Sequence, residues 1–402
     1  MPVPRFDIDL TESQRRVRES IQAICDDFDH EYWRRHAREE TYPHEFVDAL
    51  AAEGWLGVLI PESYGGKGLG TPETVVMMEE IAASGAGFGG AQTIHGGIYN
   101  SPPLVNNASP DRKETLLPKI ARGEVSIQAF GLTEPEAGSN APSMETFARR
   151  EGDEYVVSGE KMWISRVDVS DYMLLVARTS PKSAVDKRTR GISTFLVDLE
   201  DARSQGRLHK EPIEKSASTF VNSYRLTFDD LRVPAKNLIG EEGAGFYQVL
   251  DGLNEERLVI AAELIGMAEL ALSKGADYAA DRDVFDRPIG ANQAIQHPLA
   301  AAHAEVQAAR QVTYEAASRS AEGSLDRESL GARANAAKYL AANAASSAAD
   351  AAVQAHGGKG IAVEYDVERY FREARLSRLV PIAQELALNY IGERELGLPR
   401  SY

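Results

Sequence analysis

The stretch FGLTEPEAGSNAPSMETFARREGDEYVVSGEKMWIS, residues 130–165, leaves a Gly- and Pro-containing loop and enters short runs of β-branched and aromatic residues. Such runs, bounded by Gly, Asp and Ser, have the pattern of strands. EYVVSG (154–159), YMLLVART (172–179), ISTFLVDL (192–199) and SYRLTFDDLRV (223–233) obey the same rule. They lie too close together for crossover helices, so the spacing predicts a mostly antiparallel sheet that ends at Pro234.

On both sides of this region the period changes. Upstream, Thr11-Glu12-Ser13-Gln14 is a capping-box pattern, followed by Val17, Ile21, Ile24 and Phe28 at helical spacing. FVDALAAEGWLG (46–57) and PETVVMMEEIAASGAG (72–87) continue it, broken by the turn at Pro61–Gly66. Downstream, long helical periodicity returns, and the Ala-dense segment 332–355 suits tightly packed helices. The predicted organisation is a helical domain over 1–124, a β-sheet domain over 125–236 and a helical domain over 237–402. At about 150 residues per domain, 402 residues agree with that number.

Composition narrows the function. With 44 Lys and Arg against 61 Asp and Glu, the net charge of −17 argues against a nucleic-acid scaffold, which needs a basic face. No run approaches the roughly 18 apolar residues of a membrane span, and the first residues lack a signal-peptide core, so a cytoplasmic protein is expected. The single Cys25 reads as a buried structural thiol. His95 and His356 stand near no ligand-spaced Cys, His or acid, so a hydrogen bond or packing is expected of them and no metal.

Three collinear blocks resemble the acyl-CoA dehydrogenase family across nearly the whole chain. They are the stretch quoted above, RDVFDRPIGANQAIQ (282–296) and QAHGGKGIAVEYDVERYFREAR (354–375). The resemblance implies an N-terminal helical domain, a middle antiparallel β domain and a C-terminal four-helix bundle. It also implies FAD, α,β-dehydrogenation of an acyl-CoA thioester in fatty acid metabolism, a homotetramer, and electrons passed to electron-transferring flavoprotein. That chemistry needs a base for the α-proton, a hydride acceptor, and donors for the charge that develops.

By resemblance, the loop from Phe130 through Gly138 and Ser139 lies along the isoalloxazine, with Leu132 and Thr133 donating to its pyrimidine edge. Trp163 covers the ring and Ser165 donates to N5. Arg282 reaches the FAD pyrophosphate of a neighbouring subunit, where a guanidinium fork pairs phosphate oxygens. Phe285, Gln293, Gln354, Gly357 and Gly358 match flavin-proximal positions. Ser139 and Asn254 match residues that hold the pantetheine of the thioester's CoA portion, and Arg257 is expected either to pair with Glu256 or to hold that CoA portion.

The base departs from the common pattern. Most members carry a late glutamate, at the position that falls here on Pro381, and proline is no base. A minority place it earlier in Leu-x-x-Glu-Arg, which this chain carries as Leu253–Arg257, so Glu256 is the candidate and Glu255 is expected to point into solvent. Pro381 also lacks the N–H that polarises the substrate carbonyl in the family, leaving Ile382 as an alternative donor. Phe130 replaces the commoner Tyr, and Arg166 stands where Asn or a small residue is usual. Other readings of the same scaffold are an acyl-CoA oxidase, a flavin monooxygenase, a dehydrogenase of carrier-bound acyl groups, or a silent interaction protein.

Overall fold

The computed structural model describes residues 4–6, 8–250 and 252–401. Six helices come first: α1 (Glu12–Cys25), α2 (His30–Glu39), α3 (His44–Ala52), α4 (Thr71–Ile81), α5 (Gly87–Asn107) and α6 (Pro110–Ala121). The capping box at Thr11 forms, its hydroxyl accepting from the Gln14 N–H while the Gln14 side chain accepts from the Thr11 N–H at 2.9 Å. Val17 and Ile21 are buried as the spacing predicts, Ile24 is half-buried against the same core, and Cys25 is buried as expected of a structural thiol. Phe28 lies beyond the end of α1, yet its ring still reaches the core, edge-on to Tyr32 and Phe46.

Eight strands among the described residues form one sheet: β1 (Ala129–Gly131), β2 (Phe147–Glu151), β3 (Glu154–Ser165), β4 (Tyr172–Arg178), β5 (Ile192–Asp198), β6 (Leu208–Pro212), β7 (Ser223–Pro234) and β8 (Leu238–Ile239). The spatial order is β6-β7-β3-β2-β4-β5-β8, with β1 alongside β4. Antiparallel pairing dominates, as the close strand spacing requires. The exceptions are the β1–β4 pairing and a single β2–β4 pair, both parallel. A short helix, α7 (Leu199–Ser204), follows β5.

The remaining helices are α8 (Gly245–Leu250), α9 (Leu253–Asp281), α10 (Gln293–Ala321), α11 (Arg327–His356), α12 (Val367–Ser377) and α13 (Gln384–Arg394), with a two-strand hairpin, β9 (Asp283–Val284) and β10 (Arg287–Pro288), between α9 and α10. Buried Ala334, Ala337, Ala341, Ala345, Ala348 and Ala352 give α11 a methyl-lined surface, and small side chains let helix axes approach closely.

The first and last helical regions share one core. Val17 and Ile21 of α1 and Val75 and Met78 of α4 pack in the same apolar cluster as Leu264 and Ala268 of α9 and Val306 of α10. Every residue of α4 from Thr74 to Ile81 is buried, so that helix is surrounded on all sides. Gly266 is where α9 crosses it: a Cβ there would lie 2.2 Å from the Glu79 carbonyl oxygen. Glu79 and Glu80 survive this burial because Arg5, Arg18 and Arg310 pair with them. The sheet has its own core of Tyr155, Val157, Leu175, Phe195 and Leu226. Among the described residues, no helix is long and apolar enough to cross a membrane.

Candidate active site

The loop after β1 is fixed from below. Lys161 of β3, wholly buried, donates to the Leu132 carbonyl and to Glu134 Oε1, each at 2.9 Å. Glu134 also accepts the backbone N–H groups of Glu145 (2.6 Å) and Thr146 (2.9 Å), and the Met162 N–H donates to the Thr133 carbonyl at 2.8 Å. Burial lowers the Lys161 ammonium to about 8, against the attraction of Glu134. For Glu134, burial pushes upward but Lys161 and the two N–H donors prevail, so its carboxyl is held below the usual range. Sequence reasoning missed both residues, although two charged side chains within a strand-forming motif were the available signal.

This anchoring sets Leu132 and Thr133 beside the end of β3. There the β3–β7 register shifts between Lys161 and Ile164, and Trp163 takes a left-handed φ of 64°. Its indole is 52% exposed, an unusual state for so large a ring on a sheet, and Ser165 Oγ lies 2.9 Å from Ser223 Oγ. An uncovered indole, a fixed pair of loop residues and a hydroxyl make a set suited to a planar ring with hydrogen-bonding edges, so the residues fit an isoalloxazine. Phe130 is half-buried behind them, while Gly138 and Ser139 are exposed on the same loop.

From Ser165 the chain turns inward. Arg166, buried at φ 63°, donates from Nη1 to the Gln92 carbonyl of α5 at 2.6 Å. Gly96 on α5 makes room for it, since a Cβ there would lie 2.8 Å from Nη2 and 2.3 Å from the Gln128 carbonyl oxygen. Gln92 in turn donates to Glu263 Oε2 of α9 at 2.6 Å, and His95 Nδ1 lies 2.5 Å from Glu263 Oε1. The end of β3, α5 and α9 are thereby joined by polar contacts.

Glu256 stands in the first turn of α9, 4% exposed, with Oε1 3.6 Å from His95 Nε2. Tyr99 is half-buried beside both, and loss of solvent around its hydroxyl, followed by the negative charge of Glu256, keeps its phenol well above the usual range. Arg257 Nη1 donates to Asn254 Oδ1 at 2.8 Å, and the Asn254 amide donates to the Arg327 carbonyl at 3.4 Å. Burial lowers the Arg257 guanidinium while Glu256 supports it. The expectation for Glu255 needs correction: its side chain is half-buried against α10, where Ser320 Oγ donates to it at 3.3 Å.

At the turn containing Pro381, Lys338 of α11 donates to the Ile382 carbonyl at 2.7 Å. Burial lowers the Lys338 ammonium to about 8, and Arg257 adds to the effect. Lys338 was not singled out from sequence, because its partner lies 44 positions away.

The other expected flavin residues lie elsewhere. Arg282 follows the last residue of α9, 26 positions after Glu256, which is about 39 Å along a helix axis. It borders an open cleft of about 550 Å3 with Tyr278, His356, Lys359 and Tyr365, in which the His356 ring stacks on Tyr278 at 4.2 Å. Gln293, Gln354, Gly357 and Gly358 are exposed, and Phe285, at φ 57° on the β9–β10 hairpin, is 92% exposed. Within one chain the base candidate and Arg282 thus sit at opposite ends of α9. Among the described residues, no group of three or more His, Cys, Asp or Glu could hold a metal ion.

Comparison with known proteins gives three adjoining family matches: acyl-CoA dehydrogenase N-terminal domain over residues 11–124, middle domain over 129–231 and C-terminal domain over 243–396. The acyl-CoA dehydrogenase FadE12 of Mycobacterium tuberculosis is 36% identical over 392 residues, 98% of each chain. The 3-(aryl)acrylate reductase of Clostridium sporogenes is 32% identical, over 89% of each chain. Among solved structures, butyryl-CoA dehydrogenase from Megasphaera elsdenii superposes with a TM-score of 0.88 at 28% identity, covering 97% of this chain and all of that one. A glutaryl-coenzyme A dehydrogenase in complex with glutaryl-CoA gives 0.89 at 28% identity, covering 98% of both.

Proposed function

This chain belongs to the acyl-CoA dehydrogenase family and is an FAD-dependent oxidoreductase acting on acyl-CoA, and on that premise we propose that Glu256 is the base that removes the substrate's α-proton. The observation that carries this reading is a carboxylate in the first turn of α9, 4% exposed and joined through His95, Glu263, Gln92 and Arg166 to the strand end that bears Trp163 and Ser165. Proton abstraction needs a carboxylate held in place away from bulk water, and Glu256 is held so.

Leu132, Thr133, Trp163 and Ser165 hold the flavin ring, with Phe130, Gly138 and Ser139 on the same loop. When bound, FAD supplies the acceptor for the β-hydride. Glu256 takes the α-proton at a carboxylate oxygen, and the C–H electron pair remains on the substrate to form the double bond. Ser139, Asn254 and Arg257 hold the CoA portion; the Arg257–Asn254 bond keeps that guanidinium beside the start of α9 without tying it to the base.

Arg282, Phe285, Gln293, Gln354, Gly357 and Gly358 contact the FAD of a second copy. The separation of about 39 Å between Glu256 and Arg282 supports this, since it is hard to span with one cofactor in one chain. The working form is then an oligomer, a homotetramer in this reading, built from domains 1–124, 125–236 and 237–402. The enzyme serves fatty acid metabolism in the cytoplasm and passes its electrons to electron-transferring flavoprotein.

The test is anaerobic addition of an acyl-CoA panel, short, long, branched and aromatic, to wild type and to Glu256→Gln. Bleaching of the wild-type flavin by one class, with a folded yellow variant that does not bleach, is the expected result. A variant that bleaches as fast as wild type removes Glu256 from the mechanism.

A further inference from the structure

His95 enters the interior on α5, 1% exposed, where that helix faces the first three turns of α9. Glu256 and Glu263 are seven residues apart, two helical turns, so they share one face of α9 about 10 Å apart along its axis. The imidazole fills the interval. Nδ1 is held by Glu263 at 2.5 Å, and Nε2 faces Glu256 at 3.6 Å with no closer hydrogen-bond partner. The opposite oxygen of Glu263 is fixed by Gln92 at 2.6 Å, and the Tyr99 ring packs edge-on against the imidazole at 4.3 Å.

We propose that His95 is a positioning residue for the base: clamped through Nδ1 by Glu263, it directs an Nε2–H at Glu256 and keeps that carboxylate oriented and charged before substrate binds. The inference rests on the reading of Glu256 as the base. His95 neither gives nor takes the α-proton, which moves from carbon to Glu256. The electrostatics agree with the geometry. Burial opposes a charged ring, but Glu263 and Glu256 outweigh it, so the imidazole holds its proton above its ordinary value.

Other charged and titratable groups also act on this cluster. Tyr99 feels Glu256, Glu263 and Arg166, the last anchored on α5 through the Gln92 carbonyl. Arg257 and Lys338 feel Glu256 from α9 and α11. All of them persist when His95 alone is changed, so an altered pH profile reports the imidazole.

The experiment follows flavin reduction by stopped flow at saturating acyl-CoA across pH, with substrate affinity measured in parallel. His95→Gln keeps a side-chain amide of similar reach and cannot carry charge. Losing a cation beside Glu256 favours its neutral form, so the acid limb of the profile moves to higher pH by about one unit, a tenfold loss of rate on that limb, with affinity unchanged. An unmoved limb, or a loss that is equal at every pH and matched in affinity, overturns the proposal.

Glu263→Gln releases the clamp and is the second variant, carrying the test if His95→Gln does not retain FAD. Slower reduction at unchanged affinity is expected, and an unchanged rate overturns the proposal. Residues acting as a unit are non-additive, so the double variant is expected to be no slower than the slower single one, and multiplied losses overturn it. Glu256→Gln separates the two readings. Retained reduction there removes the base assignment itself, whereas an inactive Glu256→Gln with an unmoved limb in His95→Gln removes only the role of His95.

Discussion

Glu134 and Lys161 form a buried ion pair, 2.9 Å between Oε1 and Nζ, directly beneath the loop that carries Leu132 and Thr133. The pair is completed by backbone groups: Lys161 also serves the Leu132 carbonyl, and Glu134 serves two N–H donors. No charge in it is left without a partner on the other side.

Lys161→Met therefore leaves a buried carboxylate without its cation and is expected to cost about 3–5 kcal/mol of stability. FAD content falls with it, because the Leu132 carbonyl loses its anchor. Thermal melts and the ratio of flavin to protein absorbance check both effects. In wild type, the Glu134 carboxyl sits below its ordinary value of 4.5, so its contribution is full above that pH and is lost as pH falls further.

Arg282→Ala tests the cross-chain reading of the cofactor site. Arg282 is exposed at the far end of α9, so the monomer fold and its melting behaviour should be preserved. Loss of a charge-assisted contact worth about 1.5–3 kcal/mol weakens FAD binding by roughly 10- to 100-fold. Equilibrium titration of the apoprotein with FAD measures it, and wild-type affinity in the variant would refute the assignment.

Glu269 gives a pH signature of the helical core. Burial and the nearby Glu79 raise it from 4.5 to about 7, against Arg5, whose Nε lies 2.6 Å from its carboxylate. The folded state then binds more protons than the unfolded state between those values, so this group's contribution to stability falls as pH rises from about 4.5 to 7. Glu269→Gln is expected to flatten that slope in denaturant titrations at several pH values.

Gly266→Ala is expected to destabilise the fold by about 1–3 kcal/mol, although alanine is the better helix former. The added methyl would meet the Glu79 carbonyl at 2.2 Å and push α9 away from α4. Urea unfolding of the variant at constant pH measures the difference, and a stabilised variant would contradict this account of the crossing.

Local patterns were legible in the sequence because they depend on near neighbours. The capping box at Thr11 needs only Gln14, and the β-branched runs from Tyr155 to Val233 needed no partner to be recognised as strands. Glu256 came from a five-residue motif. Its surroundings did not: His95 meets Glu263 across 168 positions and Lys338 meets Ile382 across 44, and such pairs exist only once helices have packed. Glu255 shows the same limit. Its orientation away from Glu256 follows from helix geometry, but whether that side meets water or α10 is decided by Ser320, 65 positions downstream.

The shared core of the first and last helical regions has a consequence for synthesis. α4 is buried on all sides, and much of its covering comes from α9 and α10, so the nascent helices up to Ala121 emerge with apolar residues of α4 such as Val75 and Met78 not yet covered from that side. The ribosome must add the 200 residues from Ala121 to Ala321 before α10 is complete, roughly 10–40 s at about 5–20 residues per second. The sheet, with a core of its own from a continuous stretch of chain, can close during that interval. Shielding of the first 120 residues while they wait then matters to how much chain folds, and slowing translation through α9 and α10 lengthens that exposure.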